Sequence, residues 1–297
     1  MSGHSFKEWF MATRPWSFPA SAMPVAATLA FLFWLQHDIS LWKGLWALIN
    51  VVAFHAAGNT WSDYHDYRSG VDREDTIGGL SIVSGKFTAA QIKIFAIILF
   101  AISSASGILL VAATGLPVLY LGILGVFLAV VYPWTKYHAL GDINIFLTYS
   151  LLPILGTSYV ATGQFNYEAL WLSIPIGLIT TGILHINNIR DIEQDRRAGI
   201  KTFAMIIGKK ASVYVYCFEM IFPFVWIVAG ALFGIFPTIA CFIIAIIKPV
   251  IDNCRKVIQF LNKGANALSG TDEQTAKLQL LFSMTLAILF VITGLFQ

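Results

Sequence analysis

The chain has 297 residues, of which 57% are hydrophobic and only 12% are charged, and its mean hydropathy is +0.73. Soluble globular proteins carry about 25% charged residues, so this composition excludes a soluble or disordered protein and indicates an integral membrane protein surrounded by a lipid bilayer. Three cysteines, Cys217, Cys241 and Cys254, form no disulfide framework, and a net charge of +3 is too small for a nucleic-acid-binding surface. We therefore expect no nucleic-acid partner.

Nine stretches predict membrane-spanning helices, since a helix needs about 20 predominantly apolar residues to cross the hydrocarbon core. They lie at 16–35, 42–58, 92–113, 116–135, 143–162, 170–186, 212–232, 235–250 and 278–296. The apolar runs are long and do not alternate strictly, which favours helices over an outer-membrane barrel. The sequence therefore predicts an all-α, polytopic membrane bundle of nine transmembrane helices, forming one domain over residues 1–297.

Lys and Arg fall almost entirely on one side of these predicted spans. If the N-terminus and the even-numbered loops share a side, that side holds 18 of the 19 basic residues, and the other side holds only Lys43. Cytoplasmic loops carry an excess of Lys and Arg. We therefore expect a multi-pass protein of the cell's inner (cytoplasmic) membrane, with the N-terminus and even-numbered loops cytoplasmic and the C-terminus outside.

Half of all charges lie in two of the predicted cytoplasmic loops. Residues 59–93 and 187–210 together hold 18 of the 35 charged residues. Both loops contain the pattern Asn, three residues, Asp, two or three residues, Asp, three residues, Gly. The pattern is formed by Asn59, Asp63, Asp66 and Gly70, and again by Asn187, Asp191, Asp195 and Gly199. Because it follows the second and the sixth predicted helix, it predicts two four-helix pseudo-repeats plus a ninth helix.

If each helix continues past the membrane, the polar residues of each loop fall on one helical face. In the first loop His55, Asn59, Asp63 and Asp66 stand at i, i+4, i+8 and i+11, and in the second Asn188, Asp191 and Asp195 stand at i, i+3 and i+7. Clustered carboxylates are costly near hydrocarbon, which makes them functional candidates. Mg²⁺ is the natural counter-charge, because it takes one or two carboxylates together with water and phosphate oxygens. The interleaved basic side chains suit a diphosphate. They are Arg68, Arg73, Arg190, Arg196, Arg197 and Lys201.

Acid pairs and basic residues above an apolar bundle predict a site for a long-chain prenyl diphosphate. The metal-bound head would lie at the cytoplasmic mouth and the isoprenoid tail between helices. Mg²⁺ and the basic groups would stabilise the departing diphosphate, and the allylic carbocation would alkylate an electron-rich acceptor. The alternative is a pair of ordinary polar loops, which accounts for the basic residues but does not account for the repeated Asn and Asp spacing.

At these residues the sequence resembles the UbiA superfamily of intramembrane aromatic prenyltransferases, and within it the menaquinone branch that prenylates 1,4-dihydroxy-2-naphthoate. Four segments carry the resemblance. They are RPWSFPASAMP (14–24), NTWSDYHDYRSGVD (59–72), GDINIFLTYSLLPILGTSYVATG (141–163) and NNIRDIEQDRRAGIKTFA (187–204). The order of the four segments along most of the chain is more specific than any single Asp-x-x-x-Asp motif.

The resemblance implies catalytic residues that bind Mg²⁺ and the diphosphate, namely Asp63, Asp66, Asp191 and Asp195. It also implies substrate-binding residues, among which the motif asparagines support the ligands through hydrogen bonds. These are Asn59, Asn187, Asn188, Arg68, Asp72, Arg190, Lys201, Lys136 and Arg14. For Arg14 an acceptor-side role and a structural role are equally open, and for Lys136 a topological anchor is the simpler interpretation.

Two positions depart from the superfamily's pattern. Gly70 stands where a third acid is common, and Asp72 follows two residues later, as in the menaquinone branch. Ile200 follows Gly199, so the lysine of the usual Ala-Gly-Lys stretch comes one position later, at Lys201. The role of Lys201 in binding phosphate therefore stays open.

The reaction that the resemblance implies is Mg²⁺-dependent transfer of a polyprenyl chain from polyprenyl diphosphate to 1,4-dihydroxy-2-naphthoate, giving demethylmenaquinone, CO₂ and diphosphate. One alternative is another aromatic acceptor, such as 4-hydroxybenzoate. A different class is a secondary transporter of an organic anion, against which the one-sided placement of the acids counts. His55 and His185 each lie just before a motif Asn and are expected to be hydrogen-bonded structural histidines, and the sequence assigns no role to Glu219.

Overall fold

The computed structural model describes residues 4–73 and 80–297. Glu74 and Asp75, which belong to the charged loop at 59–93, lie outside these described residues. Within them all named secondary-structure elements are helical, and no β-strand is present apart from an isolated bridge between His138 and Lys201. The predicted all-α class is therefore confirmed for the part of the chain that the structure describes.

The described residues form thirteen α-helices, several of which are joined by short 3₁₀ or π segments. The α-helices are α1 (Phe6–Ala12), α2 (Pro19–Trp34), α3 (Leu41–Arg68), α4 (Leu80–Val83), α5 (Ala89–Thr114), α6 (Leu116–Tyr137), α7 (Gly141–Phe146), α8 (Leu152–Thr162), α9 (Ser173–Arg190), α10 (Ile192–Arg197), α11 (Phe203–Leu232), α12 (Lys248–Lys263) and α13 (Thr271–Leu295). The 3₁₀ segments are Pro15–Ser17, Tyr167–Leu172, Thr238–Ile246 and Ala265–Leu268, and the π segment is Leu147–Leu151.

Seven helical segments of the described chain are long and apolar enough to cross a membrane, so the predicted number of nine is wrong by this measure. They are Pro15–Trp34, Ala89–Thr114, Leu116–Tyr137, Gly141–Thr162, Tyr167–Arg190, Lys209–Leu232 and Ala265–Leu295. They correspond to the first predicted span, to the third through seventh, and to the ninth. The protein is an all-helical, multi-pass membrane protein.

The second predicted span lies within α3, which at 28 residues is long enough to cross a bilayer. Its polar side chains, Asn50, His55 and Asn59, lower its hydropathy, and all three line the cavity described below. The eighth predicted span forms the nine-residue 3₁₀ segment Thr238–Ile246, followed by α12. At about 2 Å per residue, nine residues extend about 18 Å, which is shorter than the roughly 30 Å hydrocarbon core.

The fifth predicted span is interrupted by a π segment because Pro153, the second residue of α8, has no backbone N–H to donate to the preceding turn. Tyr149 lies in this π segment, and its ring centroid is 4.7 Å from that of His55 on α3. The π segment therefore carries a polar aromatic side chain that lines the cavity described below.

The packed core lies between α2, α9, α11 and α13. Its largest fully buried side chains include Phe31, Tyr216, Phe224, Phe282 and Phe290. By contrast, only 6% of the spanning window of α6 is buried, against 67% for the segment that contains α9. The repeated motifs lie at the C-terminal end of α3 and at the junction of α9 and α10, and the pseudo-repeat stays a prediction.

Candidate functional site

A cavity of about 1440 Å³ opens beside the packed core. This is larger than the 300–1,000 Å³ typical of small-molecule pockets. Much of its wall is apolar and comes from α3, α5, α6 and α8. Representative apolar lining residues are Val51, Phe54, Leu110, Val111, Leu121 and Leu152. The cavity can therefore hold an extended hydrophobic molecule.

The polar part of the cavity, which we call the mouth, is lined by seven acidic and four basic side chains of the described residues. The acids are Asp63, Asp66, Asp72, Asp191, Asp195, Asp272 and Glu273, and the bases are Arg14, Lys136, Arg190 and Lys277. The described lining thus has an excess of three formal negative charges. An additional cation would reduce the repulsion among these acids.

The first motif contributes two buried acids from the last turns of α3. Asp63 forms an ion pair with Arg14. Asp66 accepts hydrogen bonds from Lys136 Nζ at 3.1 and 3.0 Å and from Tyr137 Oη at 2.8 Å. Each of these two acids is therefore neutralised by a base that comes from a different part of the chain.

Arg14 reaches Asp63 from a backbone with φ of 56° and ψ of 58°, in the left-handed region that non-glycine residues rarely adopt. Such a conformation costs on the order of 1–3 kcal/mol and persists where the surroundings enforce it. The carbonyl of Arg14 accepts hydrogen bonds from the backbone N–H and the Oγ of Ser17, at 2.9 and 2.8 Å. Arg14 is thus held at the mouth, next to the first motif.

The second motif lies where α9 gives way to α10. Arg190 donates from Nε and Nη2 to the two oxygens of Asp191, both at 2.8 Å, and from Nη1 to Asp272 Oδ2 at 3.0 Å. This fork of parallel hydrogen bonds is the strong geometry of an arginine–carboxylate pair. Arg190 consequently joins the second motif to the first turn of α13.

Two further acids of the mouth have raised pKa values. Burial raises the pKa of Asp195 to about 7, with Asp191 adding to the shift and Lys136 opposing it. Burial, aided by the charge of Asp66, raises the pKa of Asp72 to about 6, and Asp72 Oδ2 is buried without a hydrogen-bond partner among the described residues. Both observations fit a group of carboxylates that needs a further cation, as the prediction of Mg²⁺ requires.

The motif asparagines also line the cavity. Asn59 Nδ2 donates to the carbonyl of Thr13 at 2.9 Å and to Ser17 Oγ at 3.0 Å, so it fixes the segment that carries Arg14. Asn187 Nδ2 donates to the carbonyl of Ile183 at 3.0 Å, and its Oδ1 is buried without a partner in the described chain. Asn188 is buried in the cavity wall.

The structure brings eleven of the thirteen predicted site residues to the cavity and leaves two outside it. Arg68 and Lys201 are exposed and do not line it. The backbone N–H of Lys201 donates to the carbonyl of Tyr137 at 3.0 Å, so the Lys201 segment is paired with the end of α6. The four predicted metal ligands do not form a compact group in the described structure. Three of them, Asp63, Asp66 and Asp191, are instead paired with Arg14, Lys136 and Arg190.

Sequence reasoning missed three contributors to the mouth. Tyr137 and Ser62 both donate to Asp66, the latter from Oγ at 3.2 Å. The sequence indicates these two residues only by position, because Tyr137 follows Lys136 and Ser62 precedes Asp63. Asp272 lies far along the chain, before the ninth predicted span, and no motif connects it with Arg190. Only the packing of α9 against α13 reveals that contact.

His55 is hydrogen-bonded through both ring nitrogens, in agreement with its expected structural role. Nδ1 lies 2.9 Å from Ser21 Oγ, and Nε2 lies 3.2 Å from Ser17 Oγ. These contacts tie α3 to the start of α2. Because His55 also lines the cavity beside Tyr149, it contributes a polar and aromatic patch to the wall close to Asn59.

An all-helical, multi-pass membrane bundle that encloses an apolar cavity with a mouth of acids and bases is the class of protein that the fold and the site define. The family model described as the UbiA prenyltransferase family matches residues 22–250. The chain belongs to this family.

Similar curated proteins share the name UbiA prenyltransferase domain-containing protein 1. That of Danio rerio is 29% identical over 222 residues, covering 73% of this chain and 66% of the relative. That of Mus musculus is 31% identical over 227 residues, covering 74% and 67%, and that of Homo sapiens is 32% identical over 224 residues, covering 73% and 65%. The chain thus spans about two thirds of the length of these relatives. Their names do not specify 1,4-dihydroxy-2-naphthoate, so the menaquinone branch stays a prediction.

Solved structures of the family share the fold at low identity. A UbiA homolog from Aeropyrum pernix has a TM-score of 0.65 at 18% identity, over 92% of this chain and 97% of its own. A UbiA homolog from Archaeoglobus fulgidus bound to GPP and Mg²⁺ has a TM-score of 0.64 at 16% identity, over 95% and 99%. At these identities the similarity establishes the fold alone.

Proposed function

We propose that this protein is a Mg²⁺-dependent prenyltransferase that moves a polyprenyl chain from its diphosphate to 1,4-dihydroxy-2-naphthoate. The observation that carries the proposal is the arrangement of the cavity, which has acids and bases at its mouth and apolar walls elsewhere. Membership of the UbiA prenyltransferase family supports the reaction class. Repeated Asn and Asp motifs on two loops meet at this mouth, as binding of a metal and a diphosphate requires.

Asp63, Asp66, Asp191 and Asp195 are the proposed Mg²⁺ ligands. Support comes from the carboxylate-rich mouth and from the structure of the Archaeoglobus fulgidus homolog that is bound to GPP and Mg²⁺. Mg²⁺ bound there supplies positive charge that stabilises the diphosphate as it leaves. Hard oxygen donors are the ligands that this ion prefers.

The three bases that form ion pairs with acids of the mouth have the second role in the proposal. Arg14, Lys136 and Arg190 form ion pairs with Asp63, Asp66 and Asp191, respectively. When a diphosphate enters, its oxygens offer these bases an alternative anionic partner, and the acids become available to the metal. Arginine forks suit phosphate oxygens as well as carboxylates. The same bases therefore offset part of the negative charge of the mouth and are placed to bind an anion.

The apolar walls are the proposed position of the prenyl tail. Gly122 and Gly125 on α6 line the cavity, and an added Cβ at either one would meet no atom within 4 Å. The wall is therefore open at these positions. We place the aromatic acceptor beside His55, Tyr149 and Tyr132, where aromatic rings and hydrogen-bonding groups adjoin the mouth.

The reaction starts when the C–O bond between the prenyl group and the diphosphate breaks, so that the diphosphate leaves with the electron pair. The acceptor ring then forms a C–C bond to the allylic cation at the carbon that carries its carboxylate. Loss of CO₂ returns an electron pair to the ring and restores its aromaticity. The site must therefore stabilise an anionic leaving group at the mouth and exclude water from a carbocation, and its charged and apolar parts match these two requirements.

The proposed orientation has the N-terminus and the mouth on the cytoplasmic side of the inner membrane and the C-terminus outside. Its support is that the N-terminal segment and the four predicted cytoplasmic loops meet at one end of the bundle. The contacts that join them are Arg14–Asp63, Lys136–Asp66, the Lys201 N–H to the Tyr137 carbonyl, and Arg190–Asp272. All these loops carry the excess of Lys and Arg that the positive-inside rule describes.

The test is to incubate membranes that contain the protein with Mg²⁺, a labelled polyprenyl diphosphate and, separately, 1,4-dihydroxy-2-naphthoate and 4-hydroxybenzoate. We expect a prenylated dihydroxynaphthalene, the reduced (quinol) form of demethylmenaquinone, with 1,4-dihydroxy-2-naphthoate, and labelled CO₂ release when its carboxyl carbon carries the label. Product with 4-hydroxybenzoate alone would overturn the acceptor and keep the reaction class. If no product forms with either acceptor and the protein takes up an organic anion into vesicles, the result would favour a transporter.

A further inference from the structure

A second group of ionisable side chains lies outside the cavity lining, between α7, α9 and α11. Asp142 is the second residue of α7, His185 lies near the C-terminal end of α9, and Glu219 lies in the middle of α11. Within residues 4–73 and 80–297, these three form the group of His, Cys, Asp or Glu residues whose potential ligand atoms all lie within 4.8 Å of one another. Neither the motifs nor the proposed reaction gives this group a task.

The distances within the group match those around a single ion. His185 Nδ1 lies 3.1 Å from Glu219 Oε1 and 3.6 Å from Asp142 Oδ1. Nitrogen and oxygen ligands bind Zn²⁺ at about 2.0–2.2 Å in tetrahedral geometry, which separates neighbouring ligand atoms by about 3.3–3.6 Å. The two distances from His185 Nδ1 are therefore close to the separation of neighbouring ligand atoms around one ion, and all three potential ligand atoms lie within 4.8 Å of one another.

The group is buried and has too few donors for its carboxylates. The side chain of His185 is 0% exposed, that of Glu219 is 6% exposed and that of Asp142 is 12% exposed. The Nδ1 of an imidazole carries at most one hydrogen, so it donates to only one of the two acids. Asp142 Oδ2 and Glu219 Oε2 are buried without a hydrogen-bond partner among the described residues. Two carboxylates facing one imidazole leave uncompensated negative charge in a buried place.

The close approach of α9 to α11 is built into the sequence at Gly182, one turn before His185. A Cβ added there would lie 2.4 Å from Met220 Cε and 3.5 Å from Glu219 Oε2. The absence of a side chain thus permits the helix separation that brings Glu219 to His185. The helices α7, α9 and α11 each supply one of the three side chains.

We propose that Asp142, His185 and Glu219 bind one divalent transition-metal ion of the Zn²⁺ type, at a structural site separate from the mouth. Imidazole together with carboxylate suits Zn²⁺, whereas Mg²⁺ prefers oxygen ligands and keeps several waters. The ion neutralises the two carboxylates and links the start of α7 to α9 and α11. Because Asp142 follows Lys136 closely and His185 precedes Asn187 by two residues, the ion fixes the backbone on two sides of the mouth.

The test measures metal content in the full-length protein, purified in detergent without a polyhistidine tag. The protein is treated with a chelator, equilibrated with Zn²⁺ in the presence of millimolar Mg²⁺, freed of loosely bound metal by gel filtration and assayed by mass spectrometry. We expect about one Zn²⁺ per chain, and a higher melting temperature with Zn²⁺ than after chelation. A wild-type chain that retains no Zn²⁺ would overturn the proposal.

Matched variants locate the ion. Glu219→Gln and His185→Ala should lose Zn²⁺ and the melting shift, whereas His55→Ala, which removes another buried histidine, and Asp191→Asn at the mouth should retain both. If Glu219→Gln and His185→Ala keep Zn²⁺, the site is wrong. For variants that do not fold, zinc-edge X-ray absorption of the wild-type protein decides. A shell of nitrogen and oxygen that includes imidazole supports the proposal, and sulfur ligation contradicts it. Metal content is independent of prenyl transfer, so this result does not depend on the proposed reaction.

Discussion

Apolar residues are mostly buried on the side of the bundle that contains α9 and mostly not buried on the side that contains α6. The spanning segment that contains α9 has a mean hydropathy of 1.7 with 67% of its window buried, whereas α6 has a higher mean hydropathy, 2.1, with only 6% buried. In a bilayer, apolar character serves packing against helices as well as contact with lipid. On the α9 side it forms the packed core, and on the α6 side it lines the cavity.

Glycines show the same contrast at the level of single atoms. In the packed core, a Cβ added at Gly230 would lie 2.4 Å from the ring of Phe236. In the cavity wall, a Cβ at Gly125 would meet nothing within 4 Å. The first glycine permits close packing, and the second leaves space. The mouth lies where the two sides meet, with α3 and α6 on one side and α9 and α13 on the other.

The largest expected effect is on the mouth. Asp66→Asn should lower kcat/KM for prenyl transfer by more than about 100-fold, because it removes a proposed metal ligand and the partner of Lys136. The matched control is Asp252→Asn, which alters an exposed acid paired with Lys248 and should leave activity unchanged. Because Asp66→Asn leaves the half-buried Lys136 without its carboxylate partner, the double variant Asp66→Asn/Lys136→Gln is the second test. We expect the same loss of activity in the double variant, which should elute as a folded monodisperse species.

The difference in packing between the core and the cavity wall can be tested by measuring the stability of glycine variants. Gly230→Ala should reduce the free energy of unfolding by about 1–3 kcal/mol, because Phe236 must move to admit the methyl group. Gly125→Ala should leave the melting temperature unchanged or raise it, since the methyl group enters open space and alanine favours a helix. Equal destabilisation by the two changes would show that the cavity side is as tightly packed as the core.

The cavity side can be tested by substrate length. Gly125→Phe should lower kcat/KM for the longest prenyl diphosphates by about tenfold or more, because it removes apolar space from the wall. Transfer from geranyl diphosphate should change little, and Gly125→Ala serves as the conservative control. A uniform loss over all chain lengths would place the tail elsewhere.

The smallest effects are expected just outside the mouth. Arg68→Gln and Lys201→Gln should each change kcat/KM by less than about fivefold, because both side chains are exposed and do not line the cavity. Arg190→Gln provides the contrast, with a large loss expected from a buried guanidinium that holds Asp191 and Asp272. A large loss at Lys201 would show that its segment moves over the diphosphate.

The spacing of Asn and Asp residues in the sequence predicted most of the residues that line the mouth, because residues three or four apart lie on the same face of a helix. The predicted count of nine spans differs from the structure at α3, whose polar side chains lower its hydropathy, and at Thr238–Ile246, whose 3₁₀ segment is too short to cross a bilayer. Residue spacing could not reveal that Asp272 contacts Arg190, because a contact between α9 and α13 depends on tertiary packing. The same limit hid the group formed by His185 and Glu219, which local sequence separates by 34 residues.

The most direct test of the central claim compares Mg²⁺ titrations of wild type and Asp191→Asn in membranes, with labelled polyprenyl diphosphate and 1,4-dihydroxy-2-naphthoate. The account predicts Mg²⁺-dependent prenylation by the wild type and a loss of more than about 100-fold in the variant, which still elutes as a folded protein. Prenylation that survives in Asp191→Asn with unaltered Mg²⁺ dependence would contradict the assignment of the mouth as the metal–diphosphate site.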